Sequence, residues 1–133
     1  MISFLRSRIR SFRNAFTGLW YVIRTQRNAW IHALATICVF SLGLWLKLEL
    51  RDWAVLILTI ALVWTAEFLN TALEAVVDLA SPHHHPLAKV GKDVGAAAVL
   101  IAALSAIIIG MLILGPPLWS RIIDFTTKLP FVP

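Results

Sequence analysis

Charge is scarce in this sequence: 14% of its 133 residues are Asp, Glu, Lys or Arg and 59% are hydrophobic, where a soluble domain carries about 25% charged residues. That shortage excludes an ordinary water-solvated domain. Cysteine is nearly absent; Cys38 stands alone in an apolar run, so no intramolecular disulfide exists and the thiol is expected to pack. No G-x-x-x-x-G-K-[ST] string occurs, which argues against a P-loop, and no protein-kinase signature set is present. The run His83-His84-His85 lacks other ligands with which to converge on one zinc ion. The net charge of +5 is not read as nucleic-acid binding, because the arginines cluster in the first 27 residues beside apolar side chains, a pattern that suits an anionic membrane surface.

Long hydrophobic runs are abundant. Residues 1–27 place Phe4, Ile9, Phe12, Phe16, Leu19 and Ile23 at helical spacing, with Arg6, Arg10 and Arg13 off the stripe, which predicts an amphipathic helix lying on the bilayer. A secretory leader fits poorly, since arginines interrupt each short apolar stretch before Trp30, and the amino terminus is expected to be retained. Three membrane helices follow at about 30–46, 53–80 and 86–114, each near or above the roughly 20 residues that cross a hydrocarbon core. A polar corner, Lys47, Glu49, Arg51 and Asp52, separates the first two. Ser81 and Pro82 end the second, and His83-His84-His85-Pro86 makes the next turn, with Pro86 suited to a first helical position. Gly115-Pro116-Pro117 is expected to stop the third. The fold class is thus an all-α membrane protein, one domain over residues 1–118 with a short tail at 119–133.

Orientation follows from the cations. Eight Lys or Arg fall on the side holding the first 27 residues and the 82–93 turn, and four (Lys47, Arg51, Arg121, Lys128) on the other. The positive-inside rule puts the amino terminus in the cytoplasm and the carboxyl terminus outside. Trp30, Trp45, Trp53 and Trp119 fall near span ends, as an aromatic belt requires, whereas Trp64 is expected to pack between helices.

The second membrane helix carries Glu67, Asn70, Glu74 and Asp78. At 100° per residue each of the last three lies within about 60° of Glu67, forming one polar stripe. Glu67 sits at membrane depth, where an ionisable group costs about 2.5–3.5 kcal/mol and marks a functional candidate. A protonated Glu67 in an interhelical hydrogen bond, with Glu74 and Asp78 merely solvated, is the bland alternative. The third helix opens with Lys89, Lys92 and Asp93. Carboxylates beside lysines suit a magnesium nucleotide, since Mg²⁺ binds through one or two carboxylates plus substrate phosphates while lysine neutralises phosphate charge. Spacing alone leaves a phosphate-transfer site and a structural ion-pair cluster equally open. Gly91, Gly95 and Ala96-Ala97-Ala98 are read as small residues for close helix packing.

The segment Ala66-Glu67-Phe68-Leu69-Asn70-Thr71-Ala72-Leu73-Glu74-Ala75-Val76-Val77-Asp78 closely resembles the signature of the bacterial diacylglycerol kinase and undecaprenol kinase family, and His85-Pro86-Leu87-Ala88-Lys89 through Lys92-Asp93 resembles its second block. The likeness covers roughly residues 10–115. It implies a homotrimer of three-span subunits in the inner, cytoplasmic membrane, which uses ATP and Mg²⁺ to phosphorylate a lipid hydroxyl at the cytoplasmic face. By that resemblance Glu67 is the general base; Asn70, Glu74, His85, Lys92 and Asp93 contact the nucleotide; and Glu74 is a metal ligand. One departure stands out. Where the family often has a second metal-binding glutamate, the aligned segment Thr25-Gln26-Arg27-Asn28 offers the neutral Gln26, whose amide oxygen can coordinate Mg²⁺ without adding charge. The Arg27-to-His32 and His85-to-Lys89 segments resemble the undecaprenol kinase branch more, which favours undecaprenol over diacylglycerol. The rival from a different class is a non-catalytic three-helix subunit or small ion-binding transporter component.

Overall fold

The computed structural model describes residues 1–81, 83 and 85–128. Pro82 and His84 of the expected turn, and residues 129–133 of the expected tail, lie outside the described residues. Among those described the chain is wholly helical, in the order α1 (Ile2–Thr25), α2 (Arg27–Leu46), α3 (Leu50–Ala80) and α4 (Pro86–Lys128). The last three are each long and apolar enough to cross a membrane, and the protein is a multi-pass membrane protein. Helix suits that solvent because it satisfies every backbone amide within the segment.

The boundaries sharpen the sequence reading and correct it once. α1 is continuous until Gln26, whose extended backbone (φ −98°, ψ 120°) separates it from α2. α2 therefore starts at Arg27, a few residues before the expected edge of the span. α3 begins at Leu50, three residues before Trp53, with Asp52 in its first turn, where a carboxylate complements the exposed amides. No glycine or proline interrupts α3 before it ends at Ala80. The expected stop at Gly115-Pro116-Pro117 is overturned, since α4 runs through both prolines to Lys128. Two features make that passage tolerable. Gly115 has no Cβ to meet the Pro116 ring, which relaxes the usual restriction before proline, and two adjacent prolines remove only two amide donors from one turn of a helix. Beyond them the helix is re-established, with the Ser120 hydroxyl donating to the Pro116 carbonyl at 3.2 Å. Trp119 to Lys128, within the short tail read from the sequence, accordingly continues α4.

α3 packs chiefly along α4, and α2 closes on both. The far end, around the α2–α3 turn, is apolar: Leu46, Leu56 and Leu114 are buried there, with Val39, Leu42, Ile113 and Leu118 against them. Gly43 is required there, because an added Cβ would stand 2.8 Å from carbons of the Trp53 ring. The turn itself closes with Leu48 N–H donating to the Gly43 carbonyl and Lys47 N–H to that of Leu44, a Schellman ending that places Lys47 at φ 55°. Elsewhere the helices turn large side chains outward, among them Leu58, Leu62, Ile101 and Leu112, a surface suited to lipid tails and not to water. The stripe of α1 is equally exposed at Phe4, Ile9, Phe12 and Phe16. Of the small residues expected to pack, Gly95 is buried and Gly91 partly so, while Ala96, Ala97 and Ala98 are exposed; the packed face continues instead through Val99 and Ala102.

Candidate functional site

At the other end of α3 the polar stripe makes four contacts, one within the helix and three with residues outside it. Glu67 is 2% exposed and faces α2, where His32 Nε2 stands 3.8 Å from its Oε2. One turn on, Asn70 Nδ2 donates to Glu74 Oε1 at 3.0 Å. Gln26, turned inward by the break between α1 and α2, brings its Nε2 within 3.5 Å of Glu74 Oε2. At the end of the stripe Lys92 Nζ of α4 pairs with Asp78 at 2.5 Å. This last pair is well exposed and contributes about 0–1 kcal/mol.

Depth within the bundle orders these groups by burial. Glu67 and Thr71 are buried, Asn70, Glu74 and Gln26 half-buried, and Asp78 exposed. The Thr71 hydroxyl donates to the Glu67 carbonyl at 2.9 Å, which removes one polar group from the apolar interior without drawing on the carboxylate. Asn70 sits where it does because Gly95 of α4 has no side chain: a Cβ there would collide with Asn70 Oδ1 and press on Leu73. That oxygen is itself buried and without a hydrogen-bond partner among the described residues.

The amide nitrogens of Asn70 and Gln26 both face the Glu74 carboxylate, and either amide would present its oxygen beside that carboxylate only after a half-turn. One carboxylate with neutral oxygens fits Mg²⁺, whose other ligands are commonly water and phosphate. No group of three or more His, Cys, Asp or Glu able to hold a metal occurs among the described residues. His85 and Asp93 are exposed, and His85 Nδ1 accepts the Leu87 amide at 3.2 Å, capping the first turn of α4.

Two features were not anticipated from the sequence. His32 comes into the site as the partner of Glu67; the one available signal was a second ionisable residue within an apolar span. Beside it an elongated groove of about 470 Å³ runs between α2, α3 and α4, from Ile31, His32 and Trp64 to Gly115 and Leu118, floored by small residues including Ala35, Ala103, Ala106 and Gly110. Trp64 packs between helices as its position predicted. Its indole donates to Thr36 Oγ1 at 3.2 Å, and its ring stacks on Phe68 with centroids 5.8 Å apart.

Fold and site together define a small multi-pass helical membrane protein with a buried carboxylate and an amide–carboxylate cluster at one end of its bundle. Residues 13–114 match the prokaryotic diacylglycerol kinase family, and the chain belongs to it. It is 47% identical to a diacylglycerol kinase of Synechocystis sp. over 85% of this chain and 65% of that one. It is also 42% identical to the undecaprenol kinase of Bacillus subtilis over 82% of this chain and 89% of the relative. A diacylglycerol kinase of Escherichia coli is 36% identical over 83% of this chain and 93% of its own length. The chain thus spans just under two thirds of the Synechocystis relative and most of the other two.

Proposed function

We propose that this protein is an ATP-dependent lipid kinase, a phosphotransferase with an alcohol group as acceptor, acting on undecaprenol in preference to diacylglycerol. The observation that carries the reading is Glu67, a carboxylate 2% exposed between the amide–carboxylate cluster of Asn70, Glu74 and Gln26 and an apolar groove. A lipid hydroxyl has to reach both a base and a nucleotide phosphate. Here a groove able to take an apolar chain opens beside the residue pair that ends in a carboxylate, and the polar cluster lies one to two turns further along α3. The family resemblance of Arg27 to His32 and of His85 to Lys89 supports undecaprenol, and relatives named for each lipid are found.

In this reading Glu67 accepts the proton of the lipid hydroxyl as its oxygen attacks the γ-phosphorus of ATP, a role that contributes about 10²–10⁴-fold in rate. Glu74 and the amide oxygen of Gln26 would hold Mg²⁺, which would neutralise phosphate charge, and Asn70, which donates to Glu74 at 3.0 Å, contacts the nucleotide. Lys92, steered by Asp78, adds a cation on the phosphate side, and His85 and Asp93 line the approach of the nucleotide. Most of the remaining acceleration comes from positioning and charge neutralisation. The cationic α1 and the 82–93 turn face the cytoplasm, the source of ATP, in the inner membrane, and three copies assemble to complete and cover the exposed faces of the bundle.

The test is transfer of labelled γ-phosphate from MgATP to undecaprenol and to diacylglycerol in parallel, with purified protein in lipid and Glu67→Gln as control. Label in undecaprenol, lost in the variant, is the expected result. Label in diacylglycerol alone would overturn the lipid preference. Label in neither from a folded, assembled protein would overturn the enzymatic reading and leave a non-catalytic membrane subunit.

A further inference from the structure

His32 and Glu67 form a pair that packing alone does not explain. Their facing atoms, Nε2 and Oε2, are 3.8 Å apart, on side chains 13% and 2% exposed. Neither atom has a hydrogen-bond partner among the described residues, although polar atoms at such depth are ordinarily satisfied and are costly when left unmade. A side-chain adjustment of about 1 Å would bring them to hydrogen-bond distance. The imidazole is braced for this from both helices. Trp64 meets it edge-on, with ring centroids 6.2 Å apart and planes at 69°. Thr36, which accepts from the Trp64 indole, donates to the carbonyl of His32 itself at 2.7 Å. The Trp64 edge thus meets the imidazole, the Thr36 bond holds the backbone of His32, and Nε2 faces the carboxylate.

We propose that His32 is a positioning residue for Glu67, an inference that rests on reading Glu67 as the base. Its Nε2–H donates to Oε2, fixing the carboxylate plane and leaving Oε1 to receive the proton. In the transfer the hydroxyl O–H bond breaks and its proton passes to Oε1. The lipid oxygen forms a bond to the γ-phosphorus, the bond from that phosphorus to the bridging oxygen breaks, and ADP leaves with the electron pair. His32 keeps its proton throughout and touches neither lipid nor nucleotide. A histidine that merely filled space would be replaceable by any side chain of similar volume.

The experiment compares His32→Leu, His32→Phe and His32→Gln in the lipid kinase assay, each also combined with Glu67→Gln, with folding checked by circular dichroism and size exclusion. His32→Leu is expected to lower kcat roughly 10–100-fold, the loss of one charge-assisted hydrogen bond, with KM for ATP and lipid changed less than about twofold. Glutamine, whose amide N–H reaches the same point, restores most of kcat. In the Glu67→Gln background the histidine variants lower the rate no further. His32→Phe answers the question if His32→Leu fails to fold. Wild-type kcat in a folded Leu or Phe variant overturns the proposal, as does a glutamine variant as slow as leucine, or a full additional loss in the Glu67→Gln background. Wild-type turnover in Glu67→Gln alone would instead overturn the base assignment beneath it, a result distinguishable from all of these.

Discussion

The two halves of α3 bury different things against the same neighbours. From Leu50 to Val63 the helix offers Leu56, Thr59 and Val63 to the interior, with the Thr59 hydroxyl donating back to the Val55 carbonyl at 2.8 Å, and the turn beside it is sealed by Leu46 and Leu114. From Trp64 to Ala80 it offers Glu67 and Thr71 instead. One end is held by shape, where Gly43 lets the Trp53 ring lie against α2. The other carries polar groups whose partners come from three other elements: Gln26 between α1 and α2, His32 on α2, and Lys92 on α4. Apolar packing is cheap to maintain in a bilayer and specifies little chemistry. Buried polar groups are expensive there and mark the candidate site.

The comparison breaks most sharply at Glu67. Glu67→Gln preserves shape and hydrogen-bonding capacity and removes the proposed base, so kcat for lipid phosphorylation is expected to fall by about 10²–10⁴-fold, with helix content and oligomeric size unchanged. Unaltered turnover with intact assembly would assign the carboxylate to packing. The mirror experiment at the apolar end is Leu46→Ala, which removes a side chain 7% exposed. Unfolding in mixed micelles should show a loss of about 2–3 kcal/mol, while turnover per folded molecule stays within about twofold of wild type. A loss of activity without loss of stability would show that the two ends are coupled.

The sequence carried the helices well because three long apolar runs leave few alternatives, and it carried Glu67, Asn70 and Glu74 because their spacing puts them on one face. It did not carry the course of α4 past Pro116 and Pro117, since a Gly-Pro-Pro string signals a stop by local propensity alone, and propensity is a weak guide that the rest of a helix overrides. Nor did it yield His32. A contact between Glu67 on α3 and a residue 35 positions earlier is set by how α2 leans on α3, and no periodicity within either helix encodes that. Gln26 lay between: its position was legible by likeness, but its inward turn toward Glu74 depends on the extended backbone at the α1–α2 break.

A smaller effect is expected where the polar end depends on a missing side chain. Gly95→Ala places a methyl group against Asn70 Oδ1 and Leu73, and the side chain least able to stay is the amide that donates to Glu74. Disturbing a hydrogen bond to a charged group should raise KM for MgATP about tenfold while leaving the lipid KM within about twofold. Steady-state kinetics with each substrate varied in turn would check this. An equal rise in both constants would mean that α4 itself has shifted away from α3, and the argument for Asn70 at the nucleotide would lose its support.

The smallest effect lies at the opposite end, in the turn that joins α2 to α3. Lys47 occupies the left-handed region at φ 55°, where an L side chain costs roughly 1–2 kcal/mol and glycine is the usual occupant of a Schellman ending. Glycine also gives the unfolded chain more freedom, which returns about 0.5–1 kcal/mol. Lys47→Gly should therefore stabilise the protein by about 0.5–1 kcal/mol, read as a higher midpoint of thermal unfolding in micelles. Lys47→Ala separates backbone from charge, because it removes the ammonium and keeps the strain, and it should leave the midpoint unchanged. If both variants lower it together, the ammonium anchors this turn at the membrane surface, and the far end of the bundle is held by more than shape.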